Sequence, residues 1–540
     1  MKRLRKMAHS QQVRKFDALR FFERHIEKSV GCTEPAAVAL ASSIAFNAIR
    51  GKLPSWLRER KSKSEGEESE GEVETGSVSV FVELDRGTFK NALNAGIPHT
   101  GGRSGVSLAA ALGIFCEPEA RLALFSGLSG DRGREKLRSA DALLKAGRVR
   151  VVPDYEKEEI FILARVRTSE GEGECLIKRL HSAVVSVRAN GNVLFEACGG
   201  SSESSNHEGT AGMEEDLSLL ARMRVEDFIS IVERLPAGAK KRLRDALETN
   251  RKAFEEAAAT KQTACSFNAL REMREVKEWR GESEGKEKKD AWKEKDAWKD
   301  SWEWVIKSSL MVGTAVEGRM SGLPMEVMTC AGSGNMGLTV SLPFVALKAC
   351  ETWDEKREER LLKAFALSHL VANFASLQTR FISAICGCAI KAGVGLSAGI
   401  AYYLAASEAE ETERAEEAEE AEEAEGAEGM KGGLLLRRGR RGRKAGVLEE
   451  VVKRAINNMI SDITGIVCEG ASRKCALKAS TAVISAAKSA IFALNGVEFV
   501  GGIVEADANA TLRNLGEIER AMRETDKKIT KFLEMQHRRA

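Results

Sequence analysis

Two cysteines stand one residue apart at Cys386 and Cys388, in the almost uncharged run SAICGCAIKAGVGLSAG. Two more, Cys468 and Cys475, lie in DITGIVCEGASRKCALKAS, while Cys32 follows a glycine in SVGCTEP and Cys330 opens CAGSGNMG. Glycine beside a thiol lets the backbone approach a bulky inorganic centre closely. Three readings compete for such thiols: apolar packing, a membrane span, or ligands of a metal centre. Cys116, Cys175, Cys198, Cys265 and Cys350 stand singly and read as small apolar fillers. No CxxC pair is present, which speaks against a structural zinc site. The spacing also fails the compact ferredoxin pattern. What stays open as a metal site is a cluster gathered from distant segments with fewer than four cysteines.

Two further stretches carry chemistry. In TCAGSGNMGLTVSLP, Gly332, Ser333, Gly334 and Asn335 precede an apolar helix, whose free N–H groups favour an anion. No Lys-Ser/Thr follows, so this is no Walker loop, and a carboxylate fits as well as a phosphate. FKNALNAGIPHTGGRSG places Asn91, Asn94 and Thr100 in a loop that is either a surface turn or the second wall of an amino-acid pocket. No serine–histidine–acid triad assembles from the seven histidines, and no lysine motif for pyridoxal phosphate stands out, although Lys391 and Lys478 remain in view.

These residues need a scaffold. SVSVFVELD alternates like a half-buried strand, and IFILARVRT and HSAVVSVRANGNVLFEA read as strands, the last pair joined at Asn190–Gly191. An Ala-rich helix should begin around Pro35, and GVSLAAALGIF is a second buried helix. From Trp304 onward the pattern is almost entirely helical, rich in small residues. The expected fold is therefore an α/β N-terminal half and an all-α C-terminal half of packed buried helices. Residues 382–406 are long enough to span a bilayer. Lys391 interrupts that run and no second run matches it, so a central buried helix is expected and no membrane.

Three charged stretches, 58–76, 280–303 and 407–444, read as insertions. They divide the chain into an N-terminal helical segment at 1–57 bearing GCTEP, an α/β domain at 77–279 and a helical domain at 304–540. The last insertion runs from SEAEETERAEEAEEAEEAEGAEG into RRGRRGRK; its acidic half is helix-prone by propensity, and the whole is expected as a solvated, partly disordered loop excursion, since the acidic block would compete with any phosphate for the basic one. Across the chain, 83 Lys and Arg against 80 Asp and Glu leave a net charge of +3, which argues against a nucleic-acid partner. MKRLRKMAHSQQVRKF has no apolar stretch behind it and is not a secretory signal. Eleven cysteines without a compact framework then point to reduced thiols in a cytoplasm.

Taken together, SVGCTEPAAVALA, KNALNAGIPHTGG, CAGSGNMGLTVSLP, CGCAIKAGVGLSAG and NMISDITGIVCEGASRKCALK resemble the L-cysteine desulfidase family, whose C-terminal part is similar to the iron–sulfur L-serine dehydratase alpha chain. The resemblance runs from about His25 to Phe532, broken by the three insertions. It implies a [4Fe–4S] enzyme that splits L-cysteine into sulfide, ammonia and pyruvate without pyridoxal phosphate. Three cysteines would hold the cluster and leave one iron open: Cys468, Cys475 and one of the CGC pair, Cys386 ahead of Cys388. Cys32 would be the base or a removable fourth ligand, ionised near neutrality by the cluster and the helix terminus. Glu34 is the alternative base, or only a charge at a helix start. Ser333, Gly334 and Asn335 would hold the substrate carboxylate, and Asn91, Asn94 and Thr100 the ammonium side. The partner is a small amino acid; a homo-oligomer is left open. Two rivals stand beside this reading: an L-serine dehydratase of the same mechanism, and a non-catalytic amino-acid-binding or cluster-sensing protein.

Overall fold

A computed structural model describes residues 15–58, 77–197, 210–260, 267, 293–350, 354–426 and 433–539. Helix α1 (Ala18–His25) is capped by the Asp17 carboxylate, which accepts from the Arg20 N–H at 3.1 Å. Strand β1 (Lys28–Val30) follows, then a turn at Gly31 into helix α2 (Thr33–Ala48). Cys32 is the N-cap of α2, so the helix begins two residues before Pro35 rather than after it. Strand β2 (Ser79–Asp85) ends on a carboxylate that accepts from the Thr88 N–H at 2.8 Å and the Phe161 N–H at 2.9 Å. That cap starts α3 (Arg86–Ala92), a buried helix of about two turns that carries Lys90 and Asn91.

Helices α4 (Val106–Gly113) and α5 (Gly130–Lys145) lead to β3 (Val149–Asp154), β4 (Phe161–Thr168), β5 (Gly171–Lys178), β6 (Val184–Ala189) and β7 (Asn192–Glu196). These strands form one sheet in the order β3-β2-β4-β5-β6-β7, with β2 and β3 parallel and the other neighbours antiparallel. The hairpin at Asn190–Gly191 has positive φ at both residues, as its sequence requires. Helix α2 is buried on every side, and alanine is what lets it pack closely on all of them. At Gly173 a Cβ would stand 1.8 Å from the Ala45 carbonyl oxygen of α2, so the sheet must be bare there. Gly173→Val should therefore force helix and sheet apart and cost about 3 kcal/mol in a denaturant melt, the upper range for overpacking. An unchanged midpoint would show that α2 floats freely over β5.

The helical body comprises α6 (Thr210–Leu220), α7 (Val225–Val232), α8 (Ala237–Ala259), α9 (Lys293–Met320), α10 (Gly334–Cys350), α11 (Glu355–Thr379), α12 (Ala392–Gly426), α13 (Gly433–Ile463), α14 (Cys475–Leu494), α15 (Ala508–Ala521) and α16 (Arg523–Arg539). One short strand interrupts it: β8 (Glu326–Met328) pairs antiparallel with β1, Ser29 opposite Val327. The helical core draws in more chain than 304–540. Phe21 and Phe22 of α1, Phe228 of α7 and Leu243 of α8 share its apolar cluster, whereas α2 and the six-stranded sheet form a second one. Amphipathic helices too short to hold a core alone join the larger body whatever their place in sequence.

Two expectations need correction. The charged stretch 407–444 does not leave the fold as a loop: α12 runs on through its acidic half to Gly426, and α13 begins at Gly433. Ala and Glu are strong helix formers, and a helix already nucleated in the core extends at little cost. Secondly, two helices, not one, are long and apolar enough to cross a membrane, Gly387–Arg414 and Cys475–Leu494. The apolar window of the first is 94% buried within the chain itself, which makes it the central core helix. The stretch 59–76 and most of 280–303 lie outside the described residues.

Candidate functional site

The β1–β8 ladder joins the two cores, and the chain segments on either side of it face one cavity. From β1 the chain turns at Gly31 into Cys32 and Glu34. From β8 it enters a tight turn at Ala331 and Gly332, both with positive φ, closed by Ser333 N–H to Cys330 O at 2.9 Å. Ser333 then presents α10, its hydroxyl facing the Met336 N–H at 3.4 Å. Cys32, Glu34, Asn91, Ser333 and Asn335 line this cavity together with Cys386, Cys388, Cys468 and Cys475.

Two extended segments bring the thiols in. Ile385 pairs with Val467 in an isolated antiparallel bridge, flanked by Cys386 N–H to Ile466 O at 2.9 Å and Cys468 N–H to Ala384 O at 2.7 Å. Cys386 and Cys468 each directly follow a bridge residue, and both line the cavity. After Cys386 the chain makes one π turn over Gly387–Lys391, a geometry that recurs at functional sites. Cys388 lies inside that turn, its sulfur 3.3 Å from the Cys386 sulfur. Cys475 opens α14 at the far end of the loop that follows Cys468.

Three lysines pin both segments. Lys90 donates to the Cys468 carbonyl at 3.0 Å and to the Asp526 carboxylate of α16. Lys391 donates to the carbonyls of Arg380 and Phe381, and Lys478 to Val467 O at 2.8 Å and Glu469 at 3.0 Å. Both lysines left in view by the sequence are thus tied to backbone carbonyls around the thiols.

The electrostatics sort the thiols. The Cys388 S–H, aided by the Lys478 charge, outweighs burial and lowers Cys386 to about 7. The same S–H lowers Cys475, while Cys388 itself is raised by Cys386, Cys475 and burial. Among the described residues, no three His, Cys, Asp or Glu side chains close on a single metal ion.

At Cys32 the protein's own surroundings favour the thiol. Burial, followed by the Glu34 charge, pushes its thiol well above the ordinary range, and Arg319 opposes them. The Cys32 thiol donates to Glu34 Oε2 at 3.0 Å. Burial would raise Glu34, but His181, Cys32 and Asn91 more than offset it and hold the carboxyl below its usual range. Asn91 Nδ2 donates to Glu34 Oε1 at 2.8 Å, and His181 Nε2 stands 3.7 Å from the same oxygen.

Asn94 and Thr100 do not join the site. Asn94 is exposed, and the Thr100 hydroxyl closes its own turn on Ile97 O at 2.7 Å. Gly334 acts through its backbone at the start of α10. Arg319 and His181 line the cavity and were missed by sequence reasoning. The available signal for Arg319 was a lone cation in the apolar run MVGTAVEGRM. A larger cleft, about 350 Å³, opens between α8, α10 and α11. It has an apolar floor, and Arg244 at its rim is paired with Glu358 at 2.9 Å; it contains no thiol.

A family model described as serine dehydratase alpha chain matches residues 177–420 and 444–531. Its gap falls within the charged stretch and takes in the end of α12 and the start of α13. Over 513 residues the chain is 28% identical to a UPF0597 protein of Desulfatibacillum aliphaticivorans, covering 94% of this chain and 95% of that one. A UPF0597 protein of Desulforapulum autotrophicum is 28% identical over 524 residues, with the same coverage of the two chains. Another, from Geobacter sulfurreducens, is 27% identical over 494 residues, covering 91% of each.

Proposed function

The chain belongs to the serine dehydratase alpha chain family, and from that premise we propose that it is an iron–sulfur-dependent lyase converting L-cysteine and water to hydrogen sulfide, ammonia and pyruvate. The observation that carries this reading is the convergence of five thiols on one buried cavity that also holds an anion-ready helix start and an acid–base pair. Soft thiolate donors from separate segments suit an iron–sulfur cluster better than a hard cation, so the residues present fit a [4Fe–4S] group. Cys386, Cys468 and Cys475 would hold it. Such a group supplies a Lewis-acidic iron beside the substrate.

The protein's own part is positioning and proton transfer. The Ser333–Asn335 loop receives the substrate carboxylate, and Asn91 faces the ammonium side. Cys32 is placed to take the Cα proton as thiolate, a state that the positive charge of a bound group beside it would favour against burial and the Glu34 carboxylate, to which its thiol donates at 3.0 Å. Loss of hydrosulfide leaves aminoacrylate, which tautomerises to an imine and is hydrolysed to pyruvate and ammonia. The eight free thiols among the described residues belong in a reducing cytoplasm. A serine dehydratase of the same mechanism is the rival, favoured by the description of the matched family. The test is kcat/KM for pyruvate release from L-cysteine against L-serine by anaerobically purified protein. A clear preference for L-cysteine supports the reading; a preference for L-serine transfers it to the rival.

The thiol pair gives a second check. Cys386 directly follows the bridge residue Ile385, as Cys468 follows its partner Val467, whereas Cys388 lies inside the π turn. Cys386→Ala should therefore lose the bound iron, and Cys388→Ala should cost only packing, about 1 kcal/mol in a melt. Iron analysis of the two variants decides; the reverse pattern would make Cys388 the ligand.

A further inference from the structure

Arg319 ends the apolar face of α9 with its side chain 1% exposed. Its Nη1 donates to Asn335 Oδ1 at 2.8 Å, while Nε and Nη2 have no hydrogen-bond partner. The guanidinium lies flat against the start of α10. A Cβ on Gly334 would stand 2.5 Å from its Cζ and 2.6 Å from its Nη2, so only glycine leaves room for it. On the other flank of the same loop, His181 is equally buried, and a Cβ on Gly332 would meet its Nδ1 at 3.0 Å. Both side chains line the thiol cavity.

A buried guanidinium with two N–H groups unsatisfied is costly to keep. It becomes favourable when an anion occupies the space those donors face. Nε and Nη2 form one edge of the planar fork, the geometry that accepts both oxygens of a carboxylate. The free N–H groups at the start of α10 point to the same charge sign. Asn335 uses its carbonyl oxygen on Nη1, and its Nδ2 faces the Met320 sulfur at 3.4 Å.

We propose that Arg319 is the substrate-binding residue for the α-carboxylate, clamped in place by Asn335 and admitted by Gly334. This rests on the reading of the cavity as an amino-acid site and deepens it. The substrate class is an amino acid with a free α-carboxylate, and Asn335 is a positioning residue rather than a direct contact. Amides, esters and peptides extended at that carboxyl are excluded.

The experiment uses anaerobically purified full-length protein with L-alanine and L-alaninamide as unreactive probes, measured by titration calorimetry, beside L-cysteine kinetics. Wild type should bind L-alanine at least about 10-fold more tightly than the amide. Arg319→Gln should weaken L-alanine about 10–100-fold, the range for charge-assisted hydrogen bonds, and leave the amide unchanged. Its iron content should match wild type. Arg319→Lys should restore part of the affinity, because it returns the charge without the fork; it also serves as the test variant if the glutamine form does not fold. A rise in KM for L-cysteine should accompany the affinity loss. Wild-type preference for L-alanine in both iron-loaded variants would overturn the assignment while leaving the lyase reading intact. Failure of wild-type protein to bind L-alanine or to turn over L-cysteine or L-serine would overturn both.

Discussion

Cys468→Ala protein purified without oxygen should come off the column nearly colourless and almost free of iron. Cys468 stands on a segment whose backbone is fixed from two sides, by Ala384 O at 2.7 Å and by the buried Lys90 at 3.0 Å. Such a segment cannot swing another donor into the vacated place. Asn91, whose Oδ1 lies 3.7 Å from the Cys468 sulfur, is too hard a donor to replace a thiolate. With three thiolates holding the group, loss of one leaves two attachment points. Iron per chain, measured on the variant and on wild type, checks this. Equal iron in both would remove Cys468 from the ligand set. A Cys475→Ala variant should behave alike, since that thiol opens α14 across the same cavity.

Cys32→Ser should do the opposite, keeping its iron and losing turnover. Removal of a general base typically costs about 10²–10⁴-fold in rate. Serine preserves the shape and the hydrogen bond to Glu34, but its hydroxyl is far less acidic than a thiol. Folding should be unaffected, because Cys32 makes no side-chain cap bond for α2 and serine is itself a favoured N-cap. Pyruvate release per iron is the readout. Wild-type turnover would return Cys32 to packing and leave Glu34 as the base. Loss of all iron would instead make Cys32 a permanent ligand.

Much of this site was readable because its chemistry is clustered along the chain. Cys386 and Cys388, Cys468 and Cys475, and the Ser333–Asn335 loop each sit in a run of small residues whose only purpose is close approach. Single residues contributed from regular elements were harder to see. Arg319 looks like the solvated end of a helix until the bare Gly334 and the Asn335 carbonyl are seen around it. His181, in KRLHSAV, has no local signal at all. Asn94 and Thr100 were taken with Asn91 because turn residues line pockets and surface loops alike; only Asn91 lies on the buried face of α3. The protonation of Cys32 depends on a 3.0 Å contact to Glu34 inside a buried cavity, which proximity in sequence does not fix.

For the fold, strand alternation and the Asn190–Gly191 turn placed the sheet, and small-residue periodicity placed the helical body. The β1–β8 pairing escaped because each strand is three residues long and its partner lies about 300 residues away, from Lys28 to Met328. In the charged stretch, the helix propensity of the acidic half is a better guide than the loop excursion expected of the whole. Its composition is that of a solvated tract, yet it continues a helix already anchored in the core, and propagation needs no further nucleus.

Turnover measured as a function of iron loading tests the central claim most directly. Anaerobic protein stripped of iron and then reconstituted stepwise with iron and sulfide should release pyruvate from L-cysteine in proportion to the iron it carries, from essentially none in the stripped form. Stripped protein that turns over L-cysteine at the fully loaded rate would contradict it.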